Sequence, residues 1–268
     1  MKNLLLSAAM FCFSITMVAC SNDDPAPGPD ENVPQNLKDF MQDQKDKLEQ
    51  TFTLDASQGG TITGKEGIKI TFPANVFTKN GEPVTGNVKV TLYEMLKPSS
   101  MIFSGTNTNY NGYQGNKYFE TDGFFYLDVT SNGVSVDEYL NGVLDVSVPT
   151  DKGEGAETRI WIGEEDMGEG EDQFGWNDVN REDGGNGQWN EWGWETKAVG
   201  GEFGFTLGKL GWCNCDIFWN DAPDGMTTLT VELTGDVGKK LASFMGGSGD
   251  TYVFFLGKGI PVLAQLYT

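Results

Sequence analysis

The chain has 268 residues, a formal charge of -21 and no histidine. With no basic surface to displace counterions from phosphates, nucleic acid is excluded as a partner, and so is electrostatic docking on an anionic membrane. Without histidine, Ser-His-Asp and Cys-His catalysis, HExxH zinc sites and three-His metal centres are excluded, and no SxxK motif replaces them, so carboxylates are the only plentiful acid-base groups.

Residues 1–19 read as an export signal: Lys2 supplies the positive start, Leu4 to Val18 the apolar core, and Ala19 the small residue before Cys20. The apolar core is short for a membrane span, which needs about 20 residues. Met17-Val18-Ala19-Cys20 resembles a bacterial lipobox, which implies cleavage before Cys20 and lipid on its sulfur. Several acyl chains on one residue anchor stably, each buried methylene contributing roughly 0.8 kcal/mol. Ser21-Asn22-Asp23-Asp24 follows directly and resembles the surface-export signal of Bacteroidota-type lipoproteins. That resemblance implies an outer-membrane, cell-surface location, with the membrane as partner through Cys20. Residues 20–34 carry Pro25, Pro27, Pro29 and Pro34 and almost nothing apolar, so they form a disordered tether. At roughly 3.1 Å per residue it reaches ~40 Å.

Residues 35–50 hold a short helix, with Asn36 as N-cap and a thin stripe of Leu37, Phe40, Met41 and Leu48, serving as a spacer or as a lid on the first sheet. From Thr51 the apolar period becomes two. Strands are predicted over 51–55, 60–63, 67–72, 84–96, 101–104, 118–130 and 142–148, separated by Gly, Asn and Pro turns, which makes residues 51–150 an Ig-like β-sandwich. Lys79-Asn80-Gly81 is the best hairpin signal, predicted to join the strand ending at Phe72 to the one carrying Val84, Val88, Val90 and Leu92. Pro73 is placed at a strand end or bulge. Phe124, Tyr126 and Asp128 share one face of their strand and Phe125, Leu127 and Val129 the other, so that strand is central.

The run GTITGKEGIKITFPANVFTKNGEPVTGNVKVTLYE, followed by MIFSG and FETDGFFYLDV, resembles the sandwich modules related to carboxypeptidase regulatory-like and ZU5-like domains of bacterial surface proteins. The resemblance covers about residues 54–150 and implies a module without catalysis.

Residues 151–268 form a second β-rich unit, either a separate domain or a continuation of the first, with an acidic, glycine-rich and tryptophan-rich loop over 163–197. All seven tryptophans lie between Trp161 and Trp219. Trp176, Trp189, Trp192 and Trp194, interleaved with Asn190 and Glu191, offer either a glycan or partner platform or rings that cover the core and pin the loop. Asn180, Glu182 and Glu191 imitate ligand positions of a calcium loop, against which Gly184 at the fifth position and the absence of flanking helices stand. Cys213 and Cys215 are read as buried free thiols, with a strained disulfide or a metal site as alternatives. The fold class is therefore all-β with one short N-terminal helix. The functional expectation is a non-catalytic outer-membrane surface lipoprotein for adhesion, ligand presentation or a structural role, in contact with a glycan or an extracellular protein. A glycan-binding accessory lipoprotein of a polysaccharide-uptake system is the rival, and a carboxylate-based glycoside hydrolase the third reading.

Overall fold

A computed structural model describes residues 37–104, 106, 109–110, 117–164, 175–179, 188–190, 193–218, 254–256 and 263–265. In chain order its elements are α1 (Leu37–Asp46), β1 (Glu49–Asp55), β2 (Gly60–Thr63), β3 (Lys69–Phe72), β4 (Thr78–Lys79), β5 (Glu82–Pro83), β6 (Asn87–Met95), α2 (Pro98–Ser104), β7 (Asn109–Tyr110), β8 (Lys117–Ser131) and β9 (Val134–Ser135). There follow β10 (Tyr139–Pro149), β11 (Glu157–Glu164), β12 (Gly175–Asp178), β13 (Gln188–Asn190), β14 (Gly193–Val199), β15 (Glu202–Lys209), β16 (Gly211–Phe218), β17 (Phe254–Leu256) and β18 (Leu263–Gln265).

The class is all-β, built from antiparallel pairings. One sheet runs β1-β6-β8-β16-β11 and the other β15-β10-β3-β2, with β14 joining them. Its residues 195–197 pair with β11, whereas Ala198 and Val199 pair with β15, so a single strand turns the corner between sheets. Because side chains alternate along a strand, each sheet offers one apolar face. Val88, Val90 and Leu92 of β6, Phe125, Leu127 and Val129 of β8, and Cys213 and Cys215 of β16 meet Ile70, Val146, Phe205 and Leu207 of the other sheet in one buried cluster. The strands on either side of residue 150 share both sheets. β16 lies between β8 and β11, and β15 pairs with β10, so the described strands over 157–218 continue the first half.

The Asn80-Gly81 turn forms, but its setting differs from the predicted hairpin. Asn80 (φ 55°) and Gly81 (φ 79°) are both left-handed, as a primed two-residue turn requires. The turn joins only the two-residue strands β4 and β5. β3 pairs with β2 and β10, while β6 pairs with β1 and β8, so the segment between them crosses from one sheet to the other. Pro73, just past the end of β3, and Asn75 (φ 58°) redirect the chain, and Val76, Phe77 and Val84 fill the end of the core on the way. Asp137 fixes the turn by accepting hydrogen bonds from the backbone N–H groups of Gly81 (2.9 Å) and Asn80 (2.8 Å). The Gly81 donor first, then Thr78 and Asn80, hold its carboxyl below the usual carboxylate range.

The strand predicted at 101–104 is corrected to a helix, α2. Pro98 suits the first helical position, where its missing N–H costs nothing. Ser100 Oγ accepts from Lys97 N–H at 3.3 Å, the reciprocal half of a capping box, and overrides the β-leaning run Met-Ile-Phe. Phe103 then packs edge-on against Phe40 of α1, with ring centroids 5.9 Å apart. Behind the helices lies a second cluster: Met95, Met101, Phe119, Phe124, Trp161, Trp176 and Trp212 are buried there. β8, flanked by β6 and β16, is thus apolar on both faces, with Phe124 facing this cluster and Phe125 the main core.

A bulge kinks β8 where it crosses β16. Asn214 pairs with Phe124 and Asp216 with Thr121, so Asp122 and Gly123 together face Cys215. Gly123 has φ 117°, and a Cβ there would lie 2.4 Å from Leu96 Cδ2 and 3.1 Å from Leu96 Cα. We expect Gly123→Ala to lower the unfolding free energy by about 2–3 kcal/mol, from strain plus overpacking. A urea midpoint equal to that of the parent chain, at the same m-value, would contradict this.

Candidate binding cleft

On the outer face of the first sheet, Tyr126 and Asp128 succeed Phe124 along β8, two residues apart and therefore on one side. β16 begins at Gly211, opposite Leu127, so Asp128 stands just beyond the end of that neighbour. Trp212 pairs across with Tyr126, their ring centroids 5.0 Å apart. The far wall comes from two connections. Glu138 precedes β10 and Tyr139 opens it, Lys209 ends β15, and Leu210 N–H, in the turn to β16, donates to Glu138 C=O at 2.8 Å, tying the two together.

Between these walls is a cleft of about 510 Å³ lined by Tyr126, Asp128, Glu138, Tyr139, Lys209 and Trp212. Lys209 is 5% exposed, yet its ammonium sits 3.1 Å from Glu138 Oε1 and 5.2 Å from the centre of the Tyr139 ring. An apolar stem that is buried while its charge meets a carboxylate and an aromatic face is the usual compromise for lysine. Tyr139 leaves 54% of its surface in solvent. Lys45 of α1 places its Nζ 5.9 Å from the centre of the Trp212 ring, against the outer cluster.

The sequence-predicted site residues are scattered with respect to this cleft. Of the two alternatives for Trp176, the structure shows the core one and not the platform: it is fully buried and tilted against Phe124 at 5.6 Å. Trp189 and Asn190 belong to β13 and Trp194 to β14, with Trp189 directly opposite Trp194 in a short hairpin. Trp192 and Glu191 lie outside the described residues, as do Asn180 and Glu182 of the calcium-loop reading and Cys20 of the lipid anchor. Among the described residues no group of three or more Cys, Asp or Glu is arranged to hold a metal ion.

Cys213 and Cys215 are free thiols buried in the main core, both facing inward from β16. Burial pushes both thiols up, so neither is a nucleophile near neutral pH.

Sequence reasoning missed two buried acids. Glu94 continues the inward column Val88, Val90, Leu92 on β6, a parity that was visible in Val-Lys-Val-Thr-Leu-Tyr-Glu. It accepts from Gln50 Nε2 (2.8 Å) and from the backbone N–H groups of Glu66 (2.8 Å) and Ile68 (2.9 Å). Asp216 is fully buried on the outer face of β16, where Asn214 Nδ2 donates to its Oδ2. Both acids sit in structural networks, away from the cleft, whose own carboxylates are Asp128 and Glu138. The chain matches no family model and no curated protein sequence.

Proposed function

We propose that this protein is a lipid-anchored lipoprotein of the outer-membrane surface that acts by contact rather than catalysis, in adhesion, ligand presentation or a structural role. The observation that carries the reading is the N-terminal order of apolar core, Met17-Val18-Ala19-Cys20, acidic Ser21-Asn22-Asp23-Asp24 and proline-rich tether, ahead of a body whose first helix starts at Leu37. Supporting it are the lack of histidine, the resemblance of residues 54–150 to non-catalytic surface modules, and buried acids engaged in structural hydrogen bonds. Metabolic labelling with an alkyne-palmitate is expected to mark the parent chain and not Cys20→Ser, and protease added to intact cells is expected to remove the body. An unlabelled, freely diffusing periplasmic product would overturn the proposal.

A second reading, a glycan-binding accessory lipoprotein of a polysaccharide-uptake system, is favoured by one observation: aromatic and charged side chains from three separated segments converge on one cleft. The Trp189, Trp192 and Trp194 segment would be a further contact surface. Calcium would bind at the Asn180, Glu182 and Glu191 segment, and calcium titration of tryptophan fluorescence tests this: no change at millimolar calcium overturns it.

A further inference from the structure

We infer that the cleft between Tyr126 and Tyr139 is a binding site for an uncharged sugar residue of a glycan. This rests on the contact-protein reading above and supplies it with a site and a ligand class. A volume of about 510 Å³ falls within the range of small-molecule sites. Its lining comes from β8, the start of β10, the end of β15 and the start of β16, the last two distant in sequence from the first two. Long-range convergence of this kind places side chains with a precision that a single loop does not.

The chemistry of the lining selects among ligand classes. An apolar ligand would strip water from Asp128, Glu138 and Lys209 without replacing its hydrogen bonds. An anion would meet two carboxylates and a single ammonium, on a chain of charge -21. A cation would have to compete with Lys209, which already lies over the Tyr139 ring and against Glu138. An uncharged polyol satisfies all three constraints. Its hydroxyls both donate, to Asp128 and Glu138, and accept, from Lys209, while its C–H face lies on an aromatic ring. Lys209 covers one side of the Tyr139 ring, and the 54% of Tyr139 left in solvent at the rim is the surface on which the C–H face would stack.

The test uses the full chain and a panel of cello-, xylo-, malto-, manno- and laminarihexaose, with hexagalacturonate as the acidic comparison, read by calorimetry and by reducing-end release. We expect at least one neutral hexasaccharide to bind with a Kd below about 1 mM, and Tyr139→Ala to weaken it by about tenfold or more. Asp128→Asn is the second variant; it keeps the side-chain shape and is expected to weaken binding by about fivefold or more. Both variants should melt with the parent. No neutral sugar bound at about 10 mM, a preference for hexagalacturonate, or a loss of binding on Trp189→Ala but not on Tyr139→Ala would each overturn the assignment. None of those results touches acylation of Cys20, so the inference can fail while the proposed function stands. Release of reducing ends would do the reverse, removing the non-catalytic reading while leaving the sugar site in place.

Discussion

Glu94→Ala is expected to destabilise the fold by about 3–5 kcal/mol, the range seen when one partner of a buried charged network is removed. The carboxylate is 2% exposed and stands in the last inward position of β6, beyond Leu92. Its hydrogen bonds come from both sides of the sandwich. Gln50 belongs to β1 of the first sheet, while Glu66 and Ile68 belong to the loop between β2 and β3 of the second. Gln50 extends the same network by accepting from Lys65 N–H at 2.8 Å. Alanine would leave buried donors without acceptors and open a void at the seam between the sheets. Glu94→Gln, of the same shape but with an amide N–H₂ turned toward donors, should fall between alanine and the parent.

A second substitution makes the point independent of any one variant. A Cβ on Gly64 would lie 2.3 Å from Glu94 Cδ, so Gly64→Ala should be destabilising in the parent and much less so in the Glu94→Ala background. Urea midpoints of the four proteins measure both the loss and the coupling. If Glu94→Ala unfolds within about 1 kcal/mol of the parent, or the two substitutions add without coupling, the 64–67 loop is held by something other than this carboxylate.

Local signals were read from the sequence with success where the chain obeys a local rule. The two-sided burial of β8 followed from adjacent runs of apolar residues, and the left-handed pair Asn80-Gly81 from glycine and asparagine chemistry. What failed depended on partners distant in sequence. Nothing near Phe72 and Val88 says that their strands belong to opposite sheets, because pairing is decided by β2, β10, β1 and β8. The strand expected at 101–104 failed for the opposite reason: a local device, Pro98 with Ser100, outweighed the β-leaning side chains that follow.

The cleft was half legible. Tyr126 and Asp128 could be placed on one face of their strand by parity alone. Tyr139 and Lys209 carry no local mark, and they meet only because β10 and β15 pair, with a register shift between Tyr139 and Leu144 that sets Tyr139 opposite Lys209. Tryptophan density pointed elsewhere, and for Trp176 and Trp161 it marked a second core rather than a surface. Large rings bury much area, so a cluster of them in sequence is as apt to build a core as a platform.

Asp216→Asn is expected to stabilise the protein at pH 7 and to flatten the dependence of its stability on pH. Asp216 is buried beneath the outer cluster, where Trp161 Nε1 donates to its backbone C=O at 3.1 Å and its Oδ1 has no hydrogen-bond partner among the described residues. Burial is the main cause that holds its carboxyl well above the ordinary aspartate value of 3.8; the bonds from Thr121 and Asn214 pull the other way, and nearby Asp122 adds to the rise. The folded chain therefore keeps a proton that the unfolded chain releases above pH 3.8. Stability from this group is complete below that pH and falls as pH rises, by up to about 1.4 kcal/mol per unit, until the buried carboxyl itself ionises. Asparagine has the shape of the protonated acid and nothing to lose, so the variant should gain on the parent steadily between pH 5 and pH 8. Urea unfolding of both proteins across that interval measures the gain directly. A difference that does not change with pH, or a variant weaker than the parent at pH 8, would mean that Asp216 is charged in the fold and stabilised there by a partner.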